Sequence, residues 1–311
     1  MTSSKQLPAA FDWGLLAFLG LIWGTSFFGV ELSLDSLPPL SIAAGRIVFA
    51  AVLLVGVAYA MGDGLPATAT PTDRRIWLHC FGMGMFTNAI PFSLLSWGQQ
   101  LVTSGFAGIT MAVVPLLVLP LSHYLVPGER LTRAKMVGFL IGFGGVILLI
   151  GGEKLFTGMA PGPMMFTAQL ACALASCCYA CGSIITRLCP PVSTLSFAAA
   201  GLLCAAVVLV PLALIIDGVP QAVSTTSMMG IFYLGLFPTG LATILLTILI
   251  KRAGPPFLSL VNYQVPIWAV LIGVIILGEA LPGHFVTALI IILCGLALSQ
   301  FYDRWKVASA K

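Results

Sequence analysis

Arg46 is a charged side chain set well inside a long apolar run, residues 40–61. A charge in such surroundings is costly and normally faces protein or a watery cavity. Its guanidinium could grip a carboxylate with two parallel hydrogen bonds, or pair with Glu31 or Asp35 nearby. The ten acids are Asp12, Glu31, Asp35, Asp63, Asp73, Glu129, Glu153, Asp217, Glu279 and Asp303, and all fall in loops or at the ends of apolar runs. None is placed mid-run to relay protons. His79 lies inside an apolar run and could exchange a proton or donate a hydrogen bond. The spacing of His79, Met83 and Phe86 puts the three on one helical face, a polar contact beside a soft apolar wall. A satisfied core histidine is the alternative. His123 lies nearer the end of its run.

Polar side chains also gather around prolines. Asn262, Tyr263 and Gln264 stand in a row just before Pro266, and Asn88 and Ser93 flank Pro91. Three polar groups in a row inside an apolar run are costly unless paired, so at least one should face a cavity. Tyr179, Tyr233, Trp268 and Trp97 each offer a ring with one polar atom. They could wall a pocket, pack, or form an interface belt, the last suiting Trp97 at the end of its run. The eight cysteines fall in apolar runs, apart from Cys189 in a short loop, and read as small apolar residues. Cys178-Tyr-Ala-Cys181 has no His or acid beside it, so no metal site, redox role or cofactor is expected.

The elements that position these residues follow from composition. Of 311 residues, 59% are hydrophobic and 8% charged, with a mean hydropathy of +1.08. A soluble domain carries roughly 25% charge, so soluble enzymes, nucleic-acid binders and disordered scaffolds are excluded. The bilayer is the expected partner, not nucleic acid. Ten apolar runs read as spanning helices: 13–30, 40–61, 76–97, 106–126, 134–150, 164–185, 195–216, 228–250, 257–277 and 284–301. The alternating short strands of a β-barrel are absent. The first run is too long for an ordinary leader, and no small-x-small cleavage pattern follows it, so it reads as the first span. Twelve Lys and Arg fall on one side, with Lys154 alone on the other and Arg46 within the second span. That asymmetry puts both termini of a multi-pass membrane protein in the cytoplasm.

The halves repeat. Val114-Pro115 precedes Gly128-Glu129-Arg130-Leu131, and Val265-Pro266 precedes Gly278-Glu279-Ala280-Leu281. Pro38-Pro39-Leu40-Ser41 recurs as Pro190-Pro191-Val192-Ser193. The division is 1–152 and 153–311, five spans each, within one transport domain. An odd number of spans makes the repeats inverted, which is the architecture of secondary transporters with a midplane site between halves. Pro91, Pro115, Pro238 and Pro266 sit at matching depths in spans 3, 4, 8 and 9, which makes these spans candidate cavity walls and hinges, with kinked packing without motion the alternative. Glu129 and Glu279 each precede a helix whose N-terminal dipole would hold a carboxylate. Gly138, Gly142 and Gly145 form a small face for close packing, within one protomer or between two.

Trp23-Gly24-Thr25-Ser26-Phe27, then Pro39-Leu40 and Arg46, resemble the start of an EamA-type domain. Pro115, Gly128-Glu129 and Gly145-Val146 resemble its end. Tyr233-Leu-Gly-Leu-Phe237, Arg252-Ala-Gly254, Pro266 and Leu277-Gly-Glu-Ala-Leu281 repeat the pattern in the second half. The chain resembles the drug/metabolite transporter superfamily, most closely its YddG-type bacterial amino-acid exporters. The resemblance implies a place in the cell inner (plasma) membrane, ten helices around a central cavity, alternating access and export of small metabolites. Two departures stand out. Arg46 has no counterpart near Gly201, and Trp23-Gly24 is missing from the sixth span.

The expectation is therefore an exporter of aromatic or neutral amino acids, facilitative because no acid is buried, and monomeric or weakly dimeric. The substrate would meet Arg46, His79, Met83, Phe86, Asn88, Tyr179, Asn262, Gln264 and Trp268. A multidrug or other-metabolite exporter, with proton coupling, is the alternative. An enzyme is not expected, because no aspartate cluster or buried aspartate pair exists.

Overall fold

The computed structural model describes residues 9–157 and 162–309. Lys5 and Lys311, which enter the charge count at the termini, lie outside the described residues. The chain is all helical among the described residues. Nine helical stretches there are long and apolar enough to cross a membrane. The tenth span joins a single turn to the shorter apolar helix Val261–Ile275. Residues 255–275 together reach about 30 Å, the thickness of the hydrocarbon layer.

Five spans are unbroken: α3 (Pro39–Ala60), α8 (Arg133–Thr157), α9 (Pro163–Leu188), α10 (Thr194–Ile216) and α15 (Gly283–Ser309). The other five are interrupted. Span 1 is α1 (Ala10–Gly24) and α2 (Ser26–Ser33), parted at Thr25. Span 3 runs from α4 (Pro71–Met83) through a π-helix at Gly84–Ala89 into α5 (Ile90–Gly98). Span 4 is α6 (Ser104–Met111) and α7 (Val114–Leu125). Span 8 is α11 (Thr225–Leu234), a π-helix at Gly235–Leu241 and α12 (Ala242–Ala253). Span 9 is α13 (Pro255–Leu258) and α14 (Val261–Ile275).

The interruptions match between halves at spans 3 and 8 and at spans 4 and 9. They differ at spans 1 and 6, where the Trp-Gly pair is present in one and missing in the other. Pro91 lies at the second position of α5, and Pro238 lies inside the second π-helix. Proline cannot donate its backbone hydrogen bond, and a wider turn re-satisfies the ladder around it. Pro115 follows the break in span 4 directly. Pro266 does not sit at the break of its span: α14 runs through it, and the chain parts upstream at residues 259–260.

The packing is mirrored as inverted repeats require. Spans 2 and 7, 4 and 9, and 5 and 10 pack as equivalent pairs. Span 1 packs on spans 8 and 9, and span 6 on spans 3 and 4. The small face of α8 is used within the chain. A Cβ added at Gly138 would meet Gly295 O at 2.5 Å, and one at Gly145 would meet Ala288 O at 3.1 Å. Backbones that close need glycine on both sides.

Polar pairs mark two ends of the bundle. At one end Arg252 donates to Asp12 at 2.6 Å, Arg187 pairs with Glu129, and Ser193 donates to Asp63 at 2.6 Å. At the other, Ser224 donates to Asp35 at 2.6 Å and the Ser41 N–H to Asp217 at 2.8 Å. These pairs join the helix ends that the span alternation puts on a common side.

Candidate functional site

Arg46 is set about two turns inside α3, roughly 10 Å from its start. Its side chain is 7% exposed. Nε–H donates to Thr239 Oγ1 at 2.8 Å, and the guanidinium carbon lies 3.7 Å above the Phe92 ring centre. Thr239 belongs to the π-helix of span 8, where its own hydroxyl donates to Leu234 O at 2.9 Å. Guanidinium over a ring is favourable, more so away from water. No carboxylate lies against Arg46 among the described residues. The pairing with Glu31 or Asp35 does not form: Asp35 accepts from Ser224 at the bundle end, and Glu31 is exposed. Nε is held by Thr239, and no hydrogen-bond partner of the two Nη groups is seen among the described residues.

Arg46 lines a cavity of about 390 Å³ between the two halves. Arg46, Asn88, Tyr179, Asn262 and Pro238 are among the residues that line it. Trp23, Phe27, Thr87, Phe92, Gln99, Ser183, Thr239 and Thr243 complete much of the wall. These residues come from spans 1, 2, 3, 6, 8 and 9, with Met111 and Val114 of span 4. No carboxylate lines it among the described residues. The volume suits a small metabolite.

The cavity is closed at one end. Toward the end that carries Asp35, its wall is Phe27, Val30, Leu95 and Gln99, all buried. Beyond them α2 and α11 form a tight seam. Ser36 N–H donates to Ser227 Oγ at 3.0 Å, Ser227 Oγ donates to Ser33 O at 2.9 Å, and Ser224 N–H donates to Ser36 Oγ at 2.9 Å. Toward the end that carries Arg187 and Arg252, the wall is Ser183, Thr243, Leu246 and Asn262, none of them buried. The cavity therefore opens toward the arginine-rich end.

Span 1 supplies the contact that defines the interface. The indole N–H of Trp23 donates to Pro238 O at 3.1 Å, and the Thr25 hydroxyl hydrogen-bonds Tyr233. The Trp-Gly-Thr segment thus docks on the π-helix of span 8. Span 1 parts at Thr25, and the sixth span, which lacks the Trp-Gly pair, is unbroken. Where Arg46 stands in the first half, Gly201 lets the end of α4 in span 3 come close: a Cβ there would be blocked by Met83 and Cys80 O.

Several expected residues lie elsewhere. His79 Nδ1 bonds Arg75 O at 2.7 Å within its own helix. Met83 is buried against span 7, and Phe86 is 36% exposed. None of the three lines the cavity. The π-helix starts at Gly84 and adds a residue to the turn, so Phe86 no longer shares the face of His79. Gln264 and Trp268 pack on Gly20 and Gly24 of α1, where an added Cβ would clash with each. Trp97 packs into the core around Phe106 and Leu116. The residues that pattern reading missed, Phe92, Gln99, Thr87 and Thr239, look ordinary in an apolar run. The Thr239 hydroxyl beside Pro238 was the available signal.

A second cavity, of about 460 Å³, lies around Phe106, Met165, Gln169, His284 and Phe285. It takes no residue from spans 1, 2, 8 or 9 and lies apart from Arg46.

A family model described as the EamA-like transporter family matches the chain twice, at residues 12–151 and 166–301. The chain is 29% identical to the uncharacterized inner membrane transporter YedA of Escherichia coli K12, over 94% of this chain and 92% of the relative. It is 28% identical to the aromatic amino acid exporter YddG of Ancylobacter novellus, over 91% of this chain and 95% of that one. A solved crystal structure superposes with a TM-score of 0.68 at 22% identity, over 97% of this chain and all of the other, which supports the fold.

Proposed function

The chain belongs to the EamA-like transporter family, and from that premise we propose that it exports neutral amino acids, aromatic ones included, by facilitative alternating access. The observation that carries this reading is the Arg46 fork, buried at the interface between halves with no carboxylate against it. An uncompensated guanidinium in low dielectric favours a ligand that brings a carboxylate. The cavity offers no counter-charge for a cation, which sets this reading apart from a multidrug exporter of cationic drugs. The ammonium of an amino acid would be met by neutral acceptors and rings, with Asn88, Asn262 and Tyr179 the nearest candidates. Likeness to an aromatic amino acid exporter supports the same substrate class.

With no cavity acid to relay protons, the substrate gradient is the driving force. The arginine-rich end is the cytoplasmic one by the positive-inside rule, so the open cavity would load from the cytoplasm. The halves, divided near residue 152, would rock about the interrupted spans, with Pro91, Pro115, Pro238 and Pro266 beside the bends. One protomer holds the whole cavity, so a monomer suffices and a dimer would be weak.

A competition series tests this. Purified protein in liposomes takes up labelled phenylalanine against unlabelled analogues. Amines that lack the carboxylate are expected to compete about a hundredfold more weakly than the parent amino acid, the loss of two hydrogen bonds to a charged group. Equal competition by the amines would overturn the reading in favour of a cation exporter.

A further inference from the structure

Glu279 does not hold the N-terminus of the helix that follows it. It reaches across to the other repeat. Oε1 accepts from the Ser104 N–H at 2.7 Å, and Oε2 from the Gly105 N–H at 3.0 Å. These are free donors of the first turn of α6, where a carboxylate also meets the positive end of the helix dipole. The carboxylate fits because Gly273 has no side chain: a Cβ there would overlap Oε2. The Glu279 N–H donates to Gly273 O at 3.0 Å, and Gly278 turns the chain with a φ of +66°.

Inverted repeats predict a matching contact at the opposite end, from Glu129 to the start of span 9. The sequence forbids it. Ser104 and Gly105 correspond to Pro255 and Pro256, which have no N–H to donate. Gly273 lies seven residues after Pro266, and the same step from Pro115 reaches Ser122, which has a side chain. Glu129 pairs instead with Arg187 of α9, on the surface.

We propose that Glu279 is a one-sided latch, clamping span 9 of the second repeat to span 4 of the first and biasing the resting carrier toward the state closed at the seam end. Opening the bundle at the seam end would part the start of span 4 from the end of span 9, and this contact would then break. In the opposite state no equivalent contact can form. The two states thus differ by a pair of charge-assisted hydrogen bonds, whatever the substrate.

Hydrogen exchange on the full-length protein in detergent or nanodiscs, without substrate, reads the latch directly. Glu279→Gln replaces one acceptor oxygen with a donor that repels an N–H. Gly273→Ala displaces the carboxylate and keeps its charge. Both variants are expected to raise exchange about tenfold at residues 104–107 and across the seam at 33–37 and 224–228. Exchange at 126–132, on the opposite end, is expected not to rise. Unchanged exchange at the seam in both variants would overturn the proposal. So would an equal rise at both ends, which would mean general loosening. No transport assay enters, so failure of the amino-acid reading leaves this result interpretable.

Discussion

Replacing Arg46 by methionine is expected to weaken amino-acid binding by about a hundredfold or more and to leave a folded membrane protein. Arg46 is the one charged side chain in the cavity wall among the described residues. Each hydrogen bond to a charged group contributes about 1.5–3 kcal/mol, so two raise Kd at least a hundredfold when lost. Stability moves the other way or not at all. A buried charge without a counter-charge is costly, and a flexible apolar chain of similar length removes that cost. Thr239 keeps its hydroxyl bonded to Leu234 O, so no new unpaired donor results. Arg46→Lys keeps the charge but loses the planar fork and the Nε contact, and should fall between, about tenfold weaker than wild type. Equilibrium binding of labelled phenylalanine checks both. An R46M protein within about threefold of wild type would place the carboxylate elsewhere.

The largest effect on stability is expected at Gly295. The three nearest atoms that an added Cβ would meet there are all backbone: Gly138 O at 2.5 Å, Gly142 N at 2.6 Å and Gly142 Cα at 2.9 Å. No side chain can swing aside, so Gly295→Val must part α8 from α15. Overpacking of this kind costs about 3 kcal/mol. In the membrane, close backbone packing is itself much of what holds two helices together. The expected result is a clear drop in the temperature at which half of the purified protein loses its monodisperse elution. Gly144, on the partner helix α8, has open space around its Cβ, and Gly144→Val is expected to leave that temperature unchanged. Equal behaviour of the two variants would contradict the packing account.

The fold was legible because bilayer and repeat each constrain it. Ten apolar runs, a one-sided distribution of Arg and Lys, and recurring Pro and Gly-Glu signals specify inverted five-helix repeats without any contact information. The cavity was legible at Arg46, since a buried cation needs a reason, and at Asn88 and Asn262, since polar groups beside prolines do too. The face carrying His79 was misread because a helical wheel assumes a constant turn. The π-helix at Gly84–Ala89 changes the turn, and nothing in a regular 3.6-residue count announces it. Gln264 and Trp268 were misplaced for another reason: Gly20 and Gly24 bring α1 so close that the available space is filled by them. Phe92 and Thr239 became functional candidates only through their partner, Arg46. Glu279 shows the same limit. Its role is decided by donors far along the chain, in the other repeat.

Uptake by liposomes that hold the purified protein tests the central claim most directly. Labelled phenylalanine and other neutral amino acids would be offered outside, with unlabelled amino acid trapped inside, with and without an imposed pH gradient. The account predicts saturable counterflow that does not depend on the gradient. No counterflow of any amino acid would contradict the claimed substrate class, and uptake driven by the gradient would contradict facilitative exchange.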